Sequence, residues 1–374
     1  MLVRLLRPLR KHIRLRQQQL MSVKIDGAQV IQEALTATDG VLITPNHASH
    51  ADPAAMYETA DRLGRPFFFM ATWHVFASKR WLTQRVLQWH GVFSVDREGT
   101  DLKAFKQAVR ILQQEPYPLV IFPEGEIYHC NDRVTPFREG PAAIALSAGR
   151  RSQRPIQCVP CAVKYRYIED PTNALVALMS RLEQHIHWRP RTTQVLAKRI
   201  YDFGQAMMSL KEMEYLGQAI YTLRQRIDGL ARHILDHLEL RDDTATSQAC
   251  VPDRVKTLRH RILSRLADLD ADHRQSERLN DNLDDLFLVV QLFSYPGDYV
   301  AERPTTERMA ETLDKFEEDV LGRYSATIRA PRRVIVRFGE PITIGKGRRQ
   351  QITAGKLTEQ LEGRVQQLLD GIDD

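Results

Sequence analysis

The sequence predicts an α/β fold, a sheet with helices between its strands, that is interrupted by an all-helical insertion. First, short apolar runs alternate with segments of helical periodicity over Val23–Tyr167, as in α/β layer architectures. Second, residues 171–332 are rich in charge, with helical apolar spacing and few strand signals. Third, a strand-like run and a last helical segment follow this block. We therefore expect a core of residues 23–170 that residues 333–374 complete.

Within the core, apolar runs predict strands, and segments with an apolar period of about 3.6 residues predict helices between them. The predicted strands are Val23–Ile25, Gly40–Thr44, Phe67–Ala71, Val92–Val95, Leu119–Phe122 and Ile156–Val163. The predicted helices are Pro53–Leu63, Ala77–Trp89, Asp101–Gln114 with Thr100 as its N-cap, and Pro141–Ala148. Because the strands are near-continuous apolar runs, we expect most of them to be buried on both faces.

The insertion is predicted to be helical throughout. Its predicted helical segments are Leu210–Leu240, Val255–Leu269, Asn282–Phe293 and Thr305–Leu321. Their apolar stripes must pack on something, because such helices are not stable alone in water. No motif indicates the role of the insertion, so covering an active site, binding a carrier protein and forming an oligomer are all open. After it, a strand is predicted within Val334–Ile342 and a final helix over Ala354–Leu369.

The positive charge of the chain is concentrated at its start. The chain has 53 Lys and Arg against 47 Asp and Glu, which gives a net charge of +6. Six basic residues and no acidic residue lie in the first twenty positions, so the rest of the chain is balanced. This distribution argues against a protein whose whole surface binds nucleic acid, and we expect no nucleic-acid partner.

Residues 1–22 form a basic amphipathic N-terminal segment. On a helical period, one face carries the apolar residues Leu2, Leu5, Leu6, Leu9 and Ile13, and the other carries Arg4, Arg7, Lys11 and Arg14. Such a helix suits the interface of an anionic membrane. A solvated arm, a helix docked on its own protein and an organelle transit peptide are the alternatives.

The composition also predicts the compartment. Four cysteines in 374 residues, and no uninterrupted apolar start with a cleavage site, indicate a reducing compartment without export. The most apolar windows are much shorter than the roughly 18 to 20 residues that a membrane-spanning helix needs. We therefore expect a cytoplasmic protein whose membrane contact is peripheral, on the inner membrane face.

The most informative segment is Val41–Pro53, where an apolar strand runs through a turn into a helix. Asp52 is the expected N-cap and Pro53 the first helical residue. Across such a junction, Asp52 can accept a hydrogen bond from one ring nitrogen of His47, which favours the other nitrogen as a general base. The alternatives are a capping Asp beside an incidental His, and a metal site of His47, His50 and Asp52.

Three further segments lie within or at the end of a predicted strand, and the first two carry charged residues after that strand. These segments are Gly91–Glu98, Val120–Glu126 and Val159–Val163. Because ligands collect at the carboxyl ends of strands in α/β sheets, His47, Arg97 and Glu124 are expected to line one crevice. The alternatives are a surface ion pair between Arg97 and Asp96, and an ordinary loop acid at Glu124. A redox or metal role for Cys158 and Cys161 is a further alternative.

In this order, the motifs resemble the four blocks of the glycerolipid acyltransferases, which include the lysophosphatidic acid and glycerol-3-phosphate acyltransferases. The matching residues are Asn46-His47-xxxx-Asp52 (a His-x4-Asp motif), Gly91-xxxx-Asp96-Arg97, Phe122-Pro-Glu-Gly125 and Val159-Pro160. Supporting segments are Pro136-Phe-Arg-Glu-Gly140 and Val336-Arg-Phe-Gly-Glu-Pro-Ile342. The resemblance covers under half of the chain and implies the mixed-sheet fold of that family.

The resemblance implies O-acyl transfer from a thioester, acyl-CoA or acyl-ACP, to a hydroxyl of a glycerolipid or lysolipid, without a covalent acyl-enzyme. It implies that His47 is the general base and that Asp52 orients it. It also implies substrate contacts from Asn46, Arg97, Glu124 and Gly125. It implies no metal and no cofactor other than the acyl donor as co-substrate.

The chain departs from the family after Gly125, where members often carry Thr or a further Arg-Ser and this sequence has Glu126-Ile127-Tyr128. The added carboxylate argues against a phosphate-bearing acceptor. Two other functions are open, namely a non-catalytic lipid-binding protein that keeps the fold, and a thioester hydrolase. The sequence does not indicate the acceptor, the acyl length, the choice between CoA and ACP, or the oligomeric state.

Overall fold

The computed structural model describes residues 6–36, 39–77, 81–96, 101–216, 222–241, 249–268, 273–295, 297–345 and 352–372. The chain divides into two compact units. The first unit combines Met1–Asp170 with Ala330–Asp374 and contains the sheet, and the second is Pro171–Arg329.

The elements are as follows in chain order. The strands are β1 (Leu20–Asp26), β2 (Gly40–Pro45), β3 (Phe68–Thr72), β4 (Val92–Val95), β5 (Leu119–Val120), β6 (Ile156–Tyr167), β7 (Arg332–Phe338) and β8 (Ile342–Ile344). The helices of the first unit are α1 (Arg7–His12, followed by a π-helical turn over Ile13–Gln17), α2 (Ala28–Thr36), α3 (Asp52–Arg62), α4 (His74–Ala77), α5 (Trp81–Trp89), α6 (Leu102–Gln114), α7 (Gly140–Arg151) and α15 (Ala354–Asp370). Those of the second unit are α8 (Thr172–His185), α9 (Leu196–Tyr215), α10 (Leu223–Arg241), α11 (Val251–Asp268), α12 (His273–Ser294), α13 (Tyr299–Glu302) and α14 (Thr306–Leu321).

The described strands form one mixed sheet in the order β1-β7-β6-β2-β5-β3-β4, with β8 also paired to β6. Strand β2 is parallel to β5 and β6, and β3 is parallel to β4 and β5. Strands β7 and β8 run antiparallel to β6. The carboxyl ends of β2, β5, β3 and β4 therefore lie along one edge of the sheet. The α/β fold with a mixed sheet flanked by helices is confirmed.

The centre of the sheet is buried on both faces. Every position of β2 is buried, with Ile43 in the apolar core on one face and Leu42 in the core on the other. Successive residues of a strand point to opposite faces, so a continuous apolar run is what this location requires. Burying one such side chain stabilises the fold by about 1.5 to 3 kcal/mol.

Some predicted boundaries in the first unit are wrong. The predicted helix Ala77–Trp89 corresponds to α5, which starts at Trp81, while its first residue, Ala77, is the last residue of α4; residues 78–80 lie outside the described residues. Helices α2 and α4 were not predicted. Helix α6 begins one residue later than predicted, because Asp101 is its N-cap and accepts the Ala104 N–H at 2.9 Å. Thr100, the predicted cap, lies outside the described residues.

The second unit is helical in all its described elements, which confirms an all-helical region. The predicted helix Leu210–Leu240 is instead parts of α9 and α10, since α9 ends at Tyr215 and α10 begins at Leu223. Buried ion pairs join the helices of this unit: Glu183 with Arg199, Glu212 with Arg226, and Glu239 with Arg254. Removing one partner of such a pair leaves an uncompensated buried charge and is strongly destabilising.

The N-terminal helix packs against its own domain. Arg10 binds both carboxylate oxygens of Asp61 on α3 at 2.7 Å. Arg14 is buried, lies 3.3 Å from Glu58 of α3, and donates to the Leu20 carbonyl. These contacts fit the alternative of a helix docked on its own protein, and they occupy Arg14, one of the cations expected to face a membrane. Pro8 lies in the first turn of α1, where a helix tolerates proline.

Strand β1 begins at Leu20, so the last residues of the predicted N-terminal segment are part of the sheet. Among the residues that the structure describes, no helix has both the length and the apolar character needed to cross a membrane.

Candidate active site

The candidate site lies at the carboxyl ends of two neighbouring parallel strands. His47 follows β2 by two residues, and Glu124 follows β5 by four. Because β2 and β5 are paired and parallel, the loops after them leave the same sheet edge. The structure thus brings together the first and third sequence blocks, as the backbone N–H of His47 donates to Glu124 Oε1 at 2.7 Å.

His47 and Asp52 form a direct pair. His47 Nδ1 lies 2.7 Å from Asp52 Oδ2, and the Asp52 side chain is fully buried while that of His47 is 16% exposed. An ionised carboxylate can only accept, so in the neutral imidazole paired with it Nδ1 carries the proton and Nε2 has the free lone pair. Nε2 is therefore the ring atom that can take a proton from a substrate.

Asp52 is held by two further donors. The Ser49 N–H donates to Oδ2 at 3.0 Å, and the Tyr165 hydroxyl donates to Oδ1 at 2.6 Å. Burial and the neighbouring Asp52 charge raise the pKa of Tyr165, so its hydroxyl keeps its proton and acts as a donor. With three donors in contact, the His47 ring among them, the Asp52 carboxylate is held in one orientation.

Asp52 is not an N-cap. It is the first residue of α3, and the N-cap position is Ala51, which has no side-chain capping bond. The carboxylate points back to the turn that contains His47 and Ser49. Its place in the first turn of the helix still favours negative charge, because the N-terminal end of the helix dipole is positive.

The ring of His47 is also fixed from one side. It stacks on Phe122 with ring centroids 4.2 Å apart and planes inclined by 22°. Phe122 lies two residues before Glu124 in the segment after β5. The same loop therefore supports His47 through its ring and its backbone.

Glu124 is a buried carboxylate whose oxygens are both engaged within the protein. Oε1 accepts the His47 N–H, and Oε2 accepts the N–H of Thr135 at 3.1 Å together with its hydroxyl. Burial raises the pKa of Glu124 to about 7, against the lowering effect of these hydrogen bonds. In this arrangement, Glu124 positions His47, and its substrate contact stays a prediction.

We expect the stability of the protein to fall, relative to Glu124→Gln, as the pH rises from 4.5 to 7. The folded-state pKa of about 7 lies above the ordinary 4.5, so the folded chain holds this proton more tightly than the unfolded chain. This stabilisation is fully present below pH 4.5 and is lost as the pH rises through 7, by on the order of 3 kcal/mol. Denaturant titrations of both proteins at several pH values measure it. Parallel stability curves for the two proteins would show that the pKa of Glu124 is the same in the folded and unfolded chains, and would contradict this prediction.

Gly125 needs to be glycine for two reasons. Its φ of +81° lies in the left-handed region that side chains disfavour. A Cβ atom at this position would also lie 2.7 Å from Arg138 Nε. The structure thus places the Arg138 guanidinium against the turn that follows Glu124. The backbone N–H of Arg138 donates to the Pro123 carbonyl at 2.9 Å.

Asn46 is fully buried, and its amide is bonded to the backbone of β6. Its Nδ2 donates to the Val163 carbonyl at 3.0 Å, and its Oδ1 accepts the Val163 N–H at 2.7 Å. These bonds tie the first block to the fourth, and substrate contact by Asn46 stays a prediction. Arg97 lies outside the described residues. Its neighbour Asp96 is exposed, and its N–H donates to Asp101 at 3.1 Å.

Sequence reasoning missed three supporting residues. Tyr165 and Thr135 were not singled out, and Phe122 was quoted only within its block. No short-range signal could have identified Tyr165, because its partner Asp52 is 113 residues away in sequence. Thr135 is 11 residues from Glu124, and it directly precedes the segment Pro136–Gly140 that was singled out as a supporting motif.

Two alternatives for the motif residues do not fit the geometry. His47 Nδ1 and Asp52 Oδ2 bond to each other directly, so those two atoms do not bracket an ion. Cys158 and Cys161 belong to the cores on opposite faces of the sheet, so they do not face each other as a redox pair. Burial raises the pKa of the Cys158 thiol to about 12, which keeps it unreactive.

Comparison with known proteins gives one family match. A family model described as Acyltransferase matches residues 23–164, in a chain of 374 residues. No curated protein matches the chain. The matched range contains His47, Asp52 and Glu124. Residues 23–164 therefore carry the signature of the Acyltransferase family, which supports acyl transfer as the general activity of this protein.

Proposed function

We propose that this protein is an O-acyltransferase that moves a fatty acyl group from a thioester, acyl-CoA or acyl-ACP, to a hydroxyl of a glycerolipid or lysolipid. The observation that carries this proposal is the His47–Asp52 pair, joined at 2.7 Å at the sheet edge within the matched domain. Such a pair leaves Nε2 as a general base that can accept the proton of a hydroxyl group.

In the proposed mechanism, Nε2 of His47 takes the proton of the acceptor hydroxyl as the oxygen attacks the thioester carbonyl carbon. The new C–O bond forms, the C–S bond breaks, and the departing thiolate takes the proton back from the imidazolium. No covalent acyl-enzyme is formed, so no serine or cysteine nucleophile is needed. The buried charge of Asp52 stabilises the imidazolium while it exists.

The surrounding residues have proposed positioning and binding roles. Glu124 holds the backbone of His47, and Tyr165 holds the far oxygen of Asp52. Arg97 is proposed to bind the acceptor, since a guanidinium meets acidic oxygens with two hydrogen bonds. Gly125 is proposed to contact the acceptor from the turn against which the Arg138 guanidinium packs. The protein would then act in lipid metabolism, in phospholipid biosynthesis, at the inner membrane face.

The test is thiol release from long-chain acyl-CoA or acyl-ACP, with products separated by mass. Glycerol-3-phosphate, lysophosphatidic acid and neutral lysolipids are offered in turn as acceptors. We expect thiol release that depends on one acceptor class, with the acylated acceptor as product. Free fatty acid without acylated product would indicate a thioester hydrolase. Lipid binding without thiol release from either donor would indicate a non-catalytic lipid-binding protein.

A further inference from the structure

Three of the four tryptophans of the chain lie within residues 73–89, and all three are exposed. Trp81 is 69% exposed, Trp89 46% and Trp73 41%. Large aromatic side chains normally bury most of their surface in a folded protein. Exposed tryptophans so close together therefore call for a physical explanation.

The exposed residues of α5 form one stripe. Trp81, Arg85 and Trp89 are spaced by four residues, so they follow one another along the same side of the helix. All three are exposed, while Leu87 packs against the apolar core on one face of the sheet. The helix is thus held by one side and presents two indole rings and a guanidinium to solvent on the other.

The charge of this region has one sign. Residues 73–89 contain Lys79, Arg80 and Arg85 and no acidic residue. Tryptophan between cations is the composition that suits the headgroup level of an anionic bilayer, where the indole is amphipathic and each cation contributes about 1 kcal/mol.

One of the three tryptophans lies at the catalytic edge of the sheet. Trp73 directly follows β3, and its N–H donates to the Val95 carbonyl at the end of β4 at 3.0 Å. Since β3 is parallel to β5, and β5 to β2, Trp73 lies at the sheet edge that also carries His47. A surface that covered Trp73 would therefore border the edge where an acceptor hydroxyl has to reach Nε2.

We infer that Trp73 and the Trp81–Arg85–Trp89 stripe of α5 form the surface by which this protein docks on an anionic lipid bilayer. This inference rests on the proposed function, in which a lipid acceptor must reach the catalytic edge from a membrane. A bilayer is favoured over an acidic carrier protein because exposed indole rings beside cations suit the headgroup level of an anionic bilayer.

The test compares vesicle binding by the wild-type protein and by the double variant Trp81→Ala, Trp89→Ala. The probes are vesicles of phosphatidylcholine with and without phosphatidylglycerol. The fraction of protein that sediments with the vesicles is measured in the absence of an acyl donor, so that no reaction takes place. We expect the double variant to bind anionic vesicles at least roughly tenfold more weakly, from the apolar surface it no longer buries. We expect Arg85→Gln to weaken binding about fivefold, and only when phosphatidylglycerol is present.

The matched control is Tyr324→Ala, which removes an aromatic side chain that is 87% exposed in the second unit and should leave vesicle binding unchanged. His47→Ala should also bind as the wild type does, so a failed transfer reaction and a failed docking surface give different results. Equal binding by the double variant and the wild type, or no binding of wild type to anionic vesicles, overturns the inference. So does unchanged vesicle binding with a loss of turnover that is confined to acyl-ACP, which would make the stripe a carrier-protein site.

Discussion

Replacement of His47 by alanine is expected to lower kcat for acyl transfer by roughly 10²- to 10⁴-fold, the contribution typical of a general base. In the structure, Nδ1 is bound to Asp52 and the ring is stacked on Phe122, so Nε2 is held in one position. Without the imidazole, the described partners of Asp52 are the Ser49 N–H and the Tyr165 hydroxyl, and neither is a general base. The measurement is kcat and KM with the acceptor identified by product mass.

His47→Ala should keep its fold, because the side chain is partly exposed and the backbone N–H that binds Glu124 is retained. Circular dichroism and thermal unfolding check this. His237→Ala is the matched control, since it removes an exposed histidine from α10 of the second unit. Turnover of His47→Ala near that of the wild type, with the fold intact, would disprove general-base catalysis by His47.

Asp52→Asn is the second substitution with a large expected effect, a decrease in kcat of about 10²- to 10³-fold from the lost electrostatic stabilisation. The site can accommodate the amide. Its oxygen can accept from Ser49 N–H and His47 Nδ1, and its NH₂ group can donate to the Tyr165 hydroxyl, which can turn to accept. The geometry is therefore kept while the charge that stabilises the imidazolium is removed.

A change in kcat with little change in KM is expected for Asp52→Asn, because the lost interaction is strongest in the transition state. The matched control is Asp202→Asn, which neutralises a carboxylate paired with Lys198 on α9 and should leave kcat unchanged. If Asp52→Asn retained the turnover of that control, Asp52 would only orient the ring, and its charge would contribute nothing to catalysis.

The fold could be predicted where local pattern and tertiary environment agree. The continuous apolar run of β2 predicts a strand buried on both faces, and the structure confirms this. Element ends were harder to predict, because helix boundaries depend on caps and on neighbouring elements. Helix α9 ends at Tyr215, and Gly217, a residue typical of helix ends, follows shortly in the sequence. The glycine marks a helix end that the continuous apolar spacing does not show.

Helix α2 was missed although Ile31, Ala34 and Leu35 have helical spacing and are buried. It is short and follows Gly27, whose φ of +70° and close approach to the Phe338 carbonyl depend on a strand some 300 residues later. Local spacing over nine residues is a weak signal beside the strands that flank it. The contact that sets its start could not be read from the sequence.

In the candidate site, the sequence likewise predicts the local contact and does not predict the long-range ones. His47 and Asp52 are five residues apart, so a strand–turn–helix junction predicts their contact, and the structure has it at 2.7 Å. The bond from Tyr165 to Asp52 depends on the pairing of β6 with β2. The bond from His47 N–H to Glu124 depends on the pairing of β5 with β2. These long-range contacts need the assembled sheet, so residue types and spacing do not predict them.

The central claim is that His47 and Asp52 act as one catalytic unit in acyl transfer. The most direct test is kcat/KM for the double variant His47→Ala, Asp52→Asn beside the two single variants, with the acylated acceptor measured by mass. Groups that act through one another are strongly non-additive, so we predict that the double variant is no slower than His47→Ala alone. A double variant slower by the product of the two single effects would show that Asp52 acts independently of His47, and would contradict the account.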